Sequence, residues 1–298
     1  MPPELFIAIR EVGPRDGLQR EEPVDAARRL RLVEELVGCG FRDLEVAAFV
    51  SERHVPAMAG AAEIAAGLPT SDRCTFWALV PNVVGAQRAL AAGMDHLSVT
   101  VSASEGYSER NVSMSVAESC EQAATIAGLA PHVDVVISCA FGSPYEAEIA
   151  PAAVAALARR FKESGTTVTL ADTTGVATPK RIREVLVETG TDVALHLHDT
   201  RGTALLNAYV AIDLGVRRFD SSLGGLGGSP FSEEAGGNLA TEDLVSLLHE
   251  LGHETGVDLG RLISVDATVA QWLSRPLPGR VAAAELRRRA PTARPPVP

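Results

Sequence analysis

Leu5 to Phe49 reads LFIAIREVGPRDGLQREEPVDAARRLRLVEELVGCGFRDLEVAAF, and this stretch holds one full period of the pattern that sets the architecture. A short apolar run, Leu5 to Val12, stops at Gly13-Pro14, where the missing N–H of Pro14 ends strand pairing. Ala26 to Val37 then carries apolar residues at helical spacing, and Gly40 supplies a helix-ending residue. A second apolar run, Phe41 to Phe49, follows at once. Strand, helix and strand in this order form a parallel βαβ unit.

Beyond this unit, similar runs recur at Cys74 to Val80, His96 to Ser102, Val133 to Phe141, Thr167 to Asp172, Val193 to His198 and Arg218 to Leu223. Helical segments such as Ala147 to Lys162 lie between them, and Gly93, Gly165 and Gly215 each stand just before a strand. About eight such repeats predict an α/β fold, a (β/α)8 TIM barrel in preference to an open doubly wound sheet. Thr241 to Leu251 reads as the eighth helix and Leu259 to Leu273 as a short C-terminal helical extension. Residues 1–286 are expected to form a single catalytic domain, and residues 287–298, RRRAPTARPPVP, a disordered tail.

Composition agrees with this architecture. Of 298 residues 46% are apolar and only 4% aromatic, so the core is built from Ala, Val and Leu, as in helix-covered parallel sheets. A net charge of −11 argues against nucleic acid and against an anionic membrane surface as partners. The four cysteines, Cys39, Cys74, Cys120 and Cys139, have no C-x-x-C spacing, and no apolar run approaches the length of a membrane span. A soluble, cytoplasmic protein is expected.

In such barrels the chemistry sits at strand C-terminal ends. Arg15 and Asp16 lie just past the first strand between Gly13 and Gly17, which let the backbone turn tightly; an ordinary surface ion pair is the alternative. In "VALHLHDT" His196 and His198 are two apart on a strand, so both imidazoles share a face while Leu197 points to the helices. The pair suits a metal, although a lone buried histidine would more often be core. Asp16 can complete the set, because strands one and seven are separated by one neighbour in a closed barrel. Such donors suit a divalent cation, Mg or Mn, with Fe or Zn as alternatives. Asn238 in "EEAGGNLATED" is either a fourth ligand or a helix N-terminal residue. The run "SLGGLGGSPFSEEAGG", Ser222 to Gly237, is a lid or merely a pliant loop. Glu45, Ser102, Glu105, Ser138, Asp172 and Thr173 also lie at strand ends, and a carboxylate inside an apolar run, as at Glu45 and Asp172, is costly unless paired.

"EVGPRDGLQ", "SASE", "SCAFGSPYE", "DTTGVATP", "HLHDT", "LGGLGGSPF" and "GGNLATEDLV", in this order, resemble the 3-hydroxy-3-methylglutaryl-CoA lyase family, from about Ile9 to Val257. The resemblance implies cleavage of an acyl-CoA substrate to acetyl-CoA and acetoacetate, and a homodimer. It implies Mg or Mn on Asp16, His196, His198 and Asn238, with Arg15 stabilising an enolate oxygen and Glu45 orienting the site. Asp16 or His198 would exchange protons with the substrate hydroxyl or a metal-bound water. Gln19, Ser102, Ser138, Asp172, Thr173, Gly227 and Gly228 are the candidates for substrate contact. One departure falls on a catalytic candidate: the family has a cysteine in "GGCP" where this chain has Ser229 in "GGSP". Glu22 and Arg201 also replace the family's usual Lys and Tyr, so a different 3-hydroxyacyl-CoA is the second reading.

Overall fold

Eight parallel strands close into a barrel in sequence order: β1 (Ala8–Glu11), β2 (Asp43–Ala48), β3 (Thr75–Val80), β4 (His96–Ser102), β5 (His132–Ser138), β6 (Thr167–Asp172), β7 (Ala194–Leu197) and β8 (Arg218–Ser221). The computed structural model describes residues 6–146, 148–228 and 236–289. β8 pairs back to β1, with Ala8 opposite Arg218 and Glu11 opposite Ser221. The expected (β/α)8 TIM barrel is therefore present. Several strands are shorter than their apolar runs, because Phe49, Phe141 and Leu223 are buried beyond the last ladder pair. Apolar character reports burial; it does not report pairing.

Around the strands lie α1 (Ala26–Gly38), α2 (Ala61–Gly67), α3 (Val83–Ala91), α4 (Glu105–Val112), α5 (Val116–Leu129), α6 (Pro151–Glu163), α7 (Pro179–Thr189), α8 (Ala204–Leu214) and α9 (Thr241–Glu250). α10 (Leu259–Trp272) and α11 (Arg280–Arg289) follow the barrel. Each barrel helix turns an apolar stripe to the sheet, as α1 does with Leu32, Val33 and Leu36. Gly40, Gly93, Gly165 and Gly215 all take positive φ before their strands, the conformation that a side chain resists. α6 starts at Pro151, whose missing N–H costs nothing in a first helical turn; of its expected start, Ala147 lies outside the described residues.

α11 takes in Arg287, Arg288 and Arg289, three residues expected in the tail. Local pairing explains it. The Asp243 carboxylate accepts the Arg280 and Val281 amides at 3.0 and 2.7 Å, and Glu285 binds both Arg288 and Arg289. Residues 290–298 lie outside the described residues. No helix among the described residues is long and apolar enough to cross a membrane.

Candidate active site

After β1 the chain folds back on itself, with the Arg15 and Gly17 amides donating to the Val12 carbonyl at 3.1 Å. Gly13 and Gly17 serve close approach: a Cβ at either would collide with the Glu11 carboxylate or the Ser222 hydroxyl. This turn carries Arg15 and Asp16 inward, and both are buried. Arg15 Nε donates to Glu45 Oε2 at 2.5 Å, Nη2 also faces Glu45, and Nη1 donates to Asp16 Oδ1 at 2.7 Å and Gln19 Oε1 at 3.4 Å. Glu45 is aimed by a register shift between Glu45 and Ala47 on β2, the kind of irregularity that redirects a side chain beside a site.

His196 and His198 leave the end of β7 together, their Nε2 atoms 3.2 Å apart. His196 Nδ1 faces Asp220 Oδ2 at 3.2 Å, and His198 Nδ1 faces the Gly236 carbonyl at 3.1 Å. Asp16 Oδ2 lies 3.9 Å from His196 Nε2. Asn238 arrives by backbone pairing, because residues 237–239 run antiparallel to 197–199, with Leu239 N donating to Leu197 O and Asp199 N to Gly237 O, both at 2.8 Å. Its Nδ2 donates to Asp16 Oδ2 at 2.7 Å and to Leu226 O at 2.9 Å. Asn238 does not cap a helix; α9 begins after Ala240. Gly227, at φ 116°, borders this corner, where a Cβ would overlap the Asn238 amide nitrogen. Ser229 lies outside the described residues.

Burial and charge oppose one another here. Burial works to raise the Asp16 pKa, but Arg15 and the two imidazoles outweigh it and hold the carboxyl below its usual range. Burial and then His196 push His198 down to about 4, whereas the hydrogen bond to Asp220 overcomes burial and raises His196. Asp16, His196 and His198 can each bring one ligand atom within 4.8 Å of the others, a group able to hold a metal ion. The donors fit one. A carbonyl only accepts, so a neutral His198 carries its hydrogen on Nδ1 and points the Nε2 lone pair at His196. Asn238 Oδ1, buried in the same corner, has no hydrogen-bond partner, an acceptor that a cation would satisfy.

The remaining candidates lie at the ends of β4, β5 and β6. Ser102 and Ser138 face each other in register on β4 and β5, and Ser102 Oγ accepts the Ser104 amide at 3.0 Å. Thr173 Oγ1 accepts the Cys139 amide at 2.9 Å. Asp172 accepts the Val176 and Ala177 amides of its own turn at 3.0 and 3.1 Å. Burial pushes its pKa up to about 7 despite these bonds.

Four charges beneath the site, Glu11, Asp134 and Asp220 buried and Arg10 nearly so, escaped the sequence reading. Arg10 on β1 grips Asp220 on β8 through Nε and Nη2, both at 2.9 Å, and reaches Asp134 on β5 at 2.8 Å. Glu11 accepts the Gly13 and Leu223 amides at 2.7 and 2.8 Å and the Thr241 hydroxyl at 2.5 Å. The signal was available: each is a charge inside a short strand, and the burial cost argued for Glu45 applies equally to them. Burial raises Glu11 from 4.5 to about 7. A raised carboxyl stabilises the fold fully below its unfolded value and loses that contribution as pH rises through about 7. In metal-free protein, the fall in Tm between about pH 5 and 8 is therefore shallower in Glu11→Gln than in the parent. Parallel slopes would count against this assignment.

Comparison with known proteins bears on this geometry. The HMGL-like family model matches residues 6–269. The hydroxymethylglutaryl-CoA lyase of Pseudomonas mevalonii is 41% identical over 278 residues, covering 90% of this chain and 92% of that one. The (R)-citramalyl-CoA lyase of Chloroflexus aurantiacus is 40% identical over 299 residues, covering 92% and 93%. Among solved structures, an HMG-CoA lyase of Acinetobacter baumannii in complex with coenzyme A and 3-methylmalate superposes with a TM-score of 0.91 at 33% identity, covering 100% of both chains.

Proposed function

We infer the reaction from kinship: the chain belongs to the HMGL-like family and is a carbon–carbon lyase. Its substrate is 3-hydroxy-3-methylglutaryl-CoA, cleaved between C2 and C3 to acetyl-CoA and acetoacetate. The supporting observation is the meeting of Arg15, Asp16, His196, His198 and Asn238 at one barrel mouth in a chain 41% identical to such a lyase.

Asp16, His196, His198 and Asn238 would hold a divalent cation, Mg or Mn, which would supply Lewis acidity that makes the substrate hydroxyl easier to deprotonate. The Asp16 carboxylate receives the proton of the C3 hydroxyl, since His198 already uses Nδ1–H on the Gly236 carbonyl and turns Nε2 to the ion. As the C2–C3 bond breaks, its electron pair moves into the thioester and leaves charge on the enolate oxygen. Arg15 meets that charge: Glu45, Asp16 and Gln19 take four of its hydrogens, and one Nη2 hydrogen remains for substrate. Glu45 keeps the guanidinium planar to the mouth, and Ser102, Ser138, Asp172, Thr173, Gly227 and Gly228 line the substrate's path. C2 must then regain a proton, and Ser229 is the group that the sequence offers.

A cytoplasmic setting agrees with cysteines that are all free and buried. Leu206 and Tyr209 stay exposed on α8, apolar surface that a second copy of the chain would cover in a homodimer; sedimentation would detect it. The reaction is tested by stripping the protein of metal, restoring Mg or Mn, and following acetoacetate and acetyl-CoA by mass spectrometry. Metal-dependent product is expected. Product from citramalyl-CoA alone would move the assignment to that thioester, and no cleavage of either would refute it. His198→Ala should weaken Mn(II) binding by more than about 100-fold, since loss of a mere outer partner already costs 10- to 100-fold; calorimetry reads this directly.

A further inference from the structure

We propose that Asp220, clamped by Arg10, is a positioning residue for His196, fixing which imidazole nitrogen is presented to the cation; this rests on the metal reading above. The two histidines are held differently. His198 leans on a backbone carbonyl, that of Gly236, at the edge of the glycine-rich loop. His196 leans on a carboxylate, with Asp220 Oδ2 at 3.2 Å from Nδ1. A carboxylate paired with a guanidinium is ionised and only accepts, so the hydrogen sits on Nδ1 and the Nε2 side is left toward Asp16 and His198.

The clamp explains why this carboxylate stays in place. Arg10 binds both Asp220 oxygens in a fork, a planar pairing that fixes orientation as well as distance. The guanidinium is in turn held by Asp134 at 2.8 Å, by the Ser98 and Thr169 hydroxyls at 3.4 Å, and by the Trp77 ring, whose centroid is 5.3 Å away. Side chains from β1, β3, β4, β5, β6 and β8 thus determine the setting of one ligand on β7. A carboxylate behind a ligating histidine also strengthens it as a donor, and losing such a partner typically costs about 10- to 100-fold in metal affinity.

The test is Mn(II) affinity by paramagnetic resonance on the full chain, with the visible spectrum of the Co(II)-loaded protein as a second readout. Asp220→Ala should weaken Mn(II) binding about 10- to 100-fold and shift the Co(II) bands. Asp220→Asn keeps an acceptor without the charge, so it should bind less than about 10-fold more weakly than the parent, still with displaced bands. Parent-like affinity and bands in Asp220→Ala would overturn the role of Asp220. If that variant fails to fold, Co(II) bands of Asp220→Asn coincident with the parent's would overturn it. His196→Ala separates the two levels: a parent that does not bind Mn(II), or a His196→Ala chain that binds it equally well, overturns the metal reading and this inference with it.

Discussion

Arg15→Gln lowers kcat for thioester cleavage by about 10²- to 10³-fold, roughly 3 to 4 kcal/mol of transition-state stabilisation, with a smaller change in KM. The guanidinium is already oriented before substrate arrives, by Glu45 on one side and Asp16 and Gln19 on the other. On the proposed mechanism it would meet the enolate charge without reorganising, which is where such donors gain their effect. Glutamine retains length and a donor but not the charge or the fork. Arg15→Lys restores the charge and still lacks the fork, so it should recover only part of the loss. Acetoacetate release at saturating metal is the measurement, with a denaturant melt to confirm the fold. A fall of less than tenfold in the glutamine variant would remove Arg15 from the chemical step.

Ser229→Cys raises kcat by about 10²-fold or more, because a positioned general acid or base contributes about 10²- to 10⁴-fold and a thiol exchanges protons near neutral pH where a hydroxyl does not. The same substitution should leave Mn(II) affinity unchanged, since the proposed ligands are Asp16, His196, His198 and Asn238. Pre-steady-state mixing would place the gain in the cleavage step. Equal turnover of the two proteins would mean that another group, or water, returns the proton to C2.

The barrel was legible because the strands announced themselves by apolar content and several helices by period and a following glycine, as at Gly40, Gly93, Gly165 and Gly215. The histidine pair was legible for a related reason: His196 and His198 sit two apart, and period two puts them on one face. Asn238 was harder. Its place depends on residues 237–239 pairing with the end of β7, a contact between segments that no local pattern specifies. Arg10, Asp134 and Asp220 were hidden differently. A charge in a strand of four to seven residues looks like the polar side of an alternating strand, and only closure of the barrel turns it inward. Asp172 shows the converse: its strand and burial were readable, but its partners are amides of the following turn, which depend on backbone conformation.

The Arg10 network has a consequence for how the chain can be divided. A fragment ending after α5 holds Arg10 but neither of its carboxylates, and the complementary fragment holds Asp134 and Asp220 without their cation. Each half would face an uncompensated charge in any closed interior, and removing one partner of a buried pair costs about 3 to 5 kcal/mol. Neither half should fold alone, and mixing them should restore structure only on association. The same seam joins the first strand to the last, so proteolysis or hydrogen exchange should find β1 and β8 opening together with the whole barrel, not ahead of it.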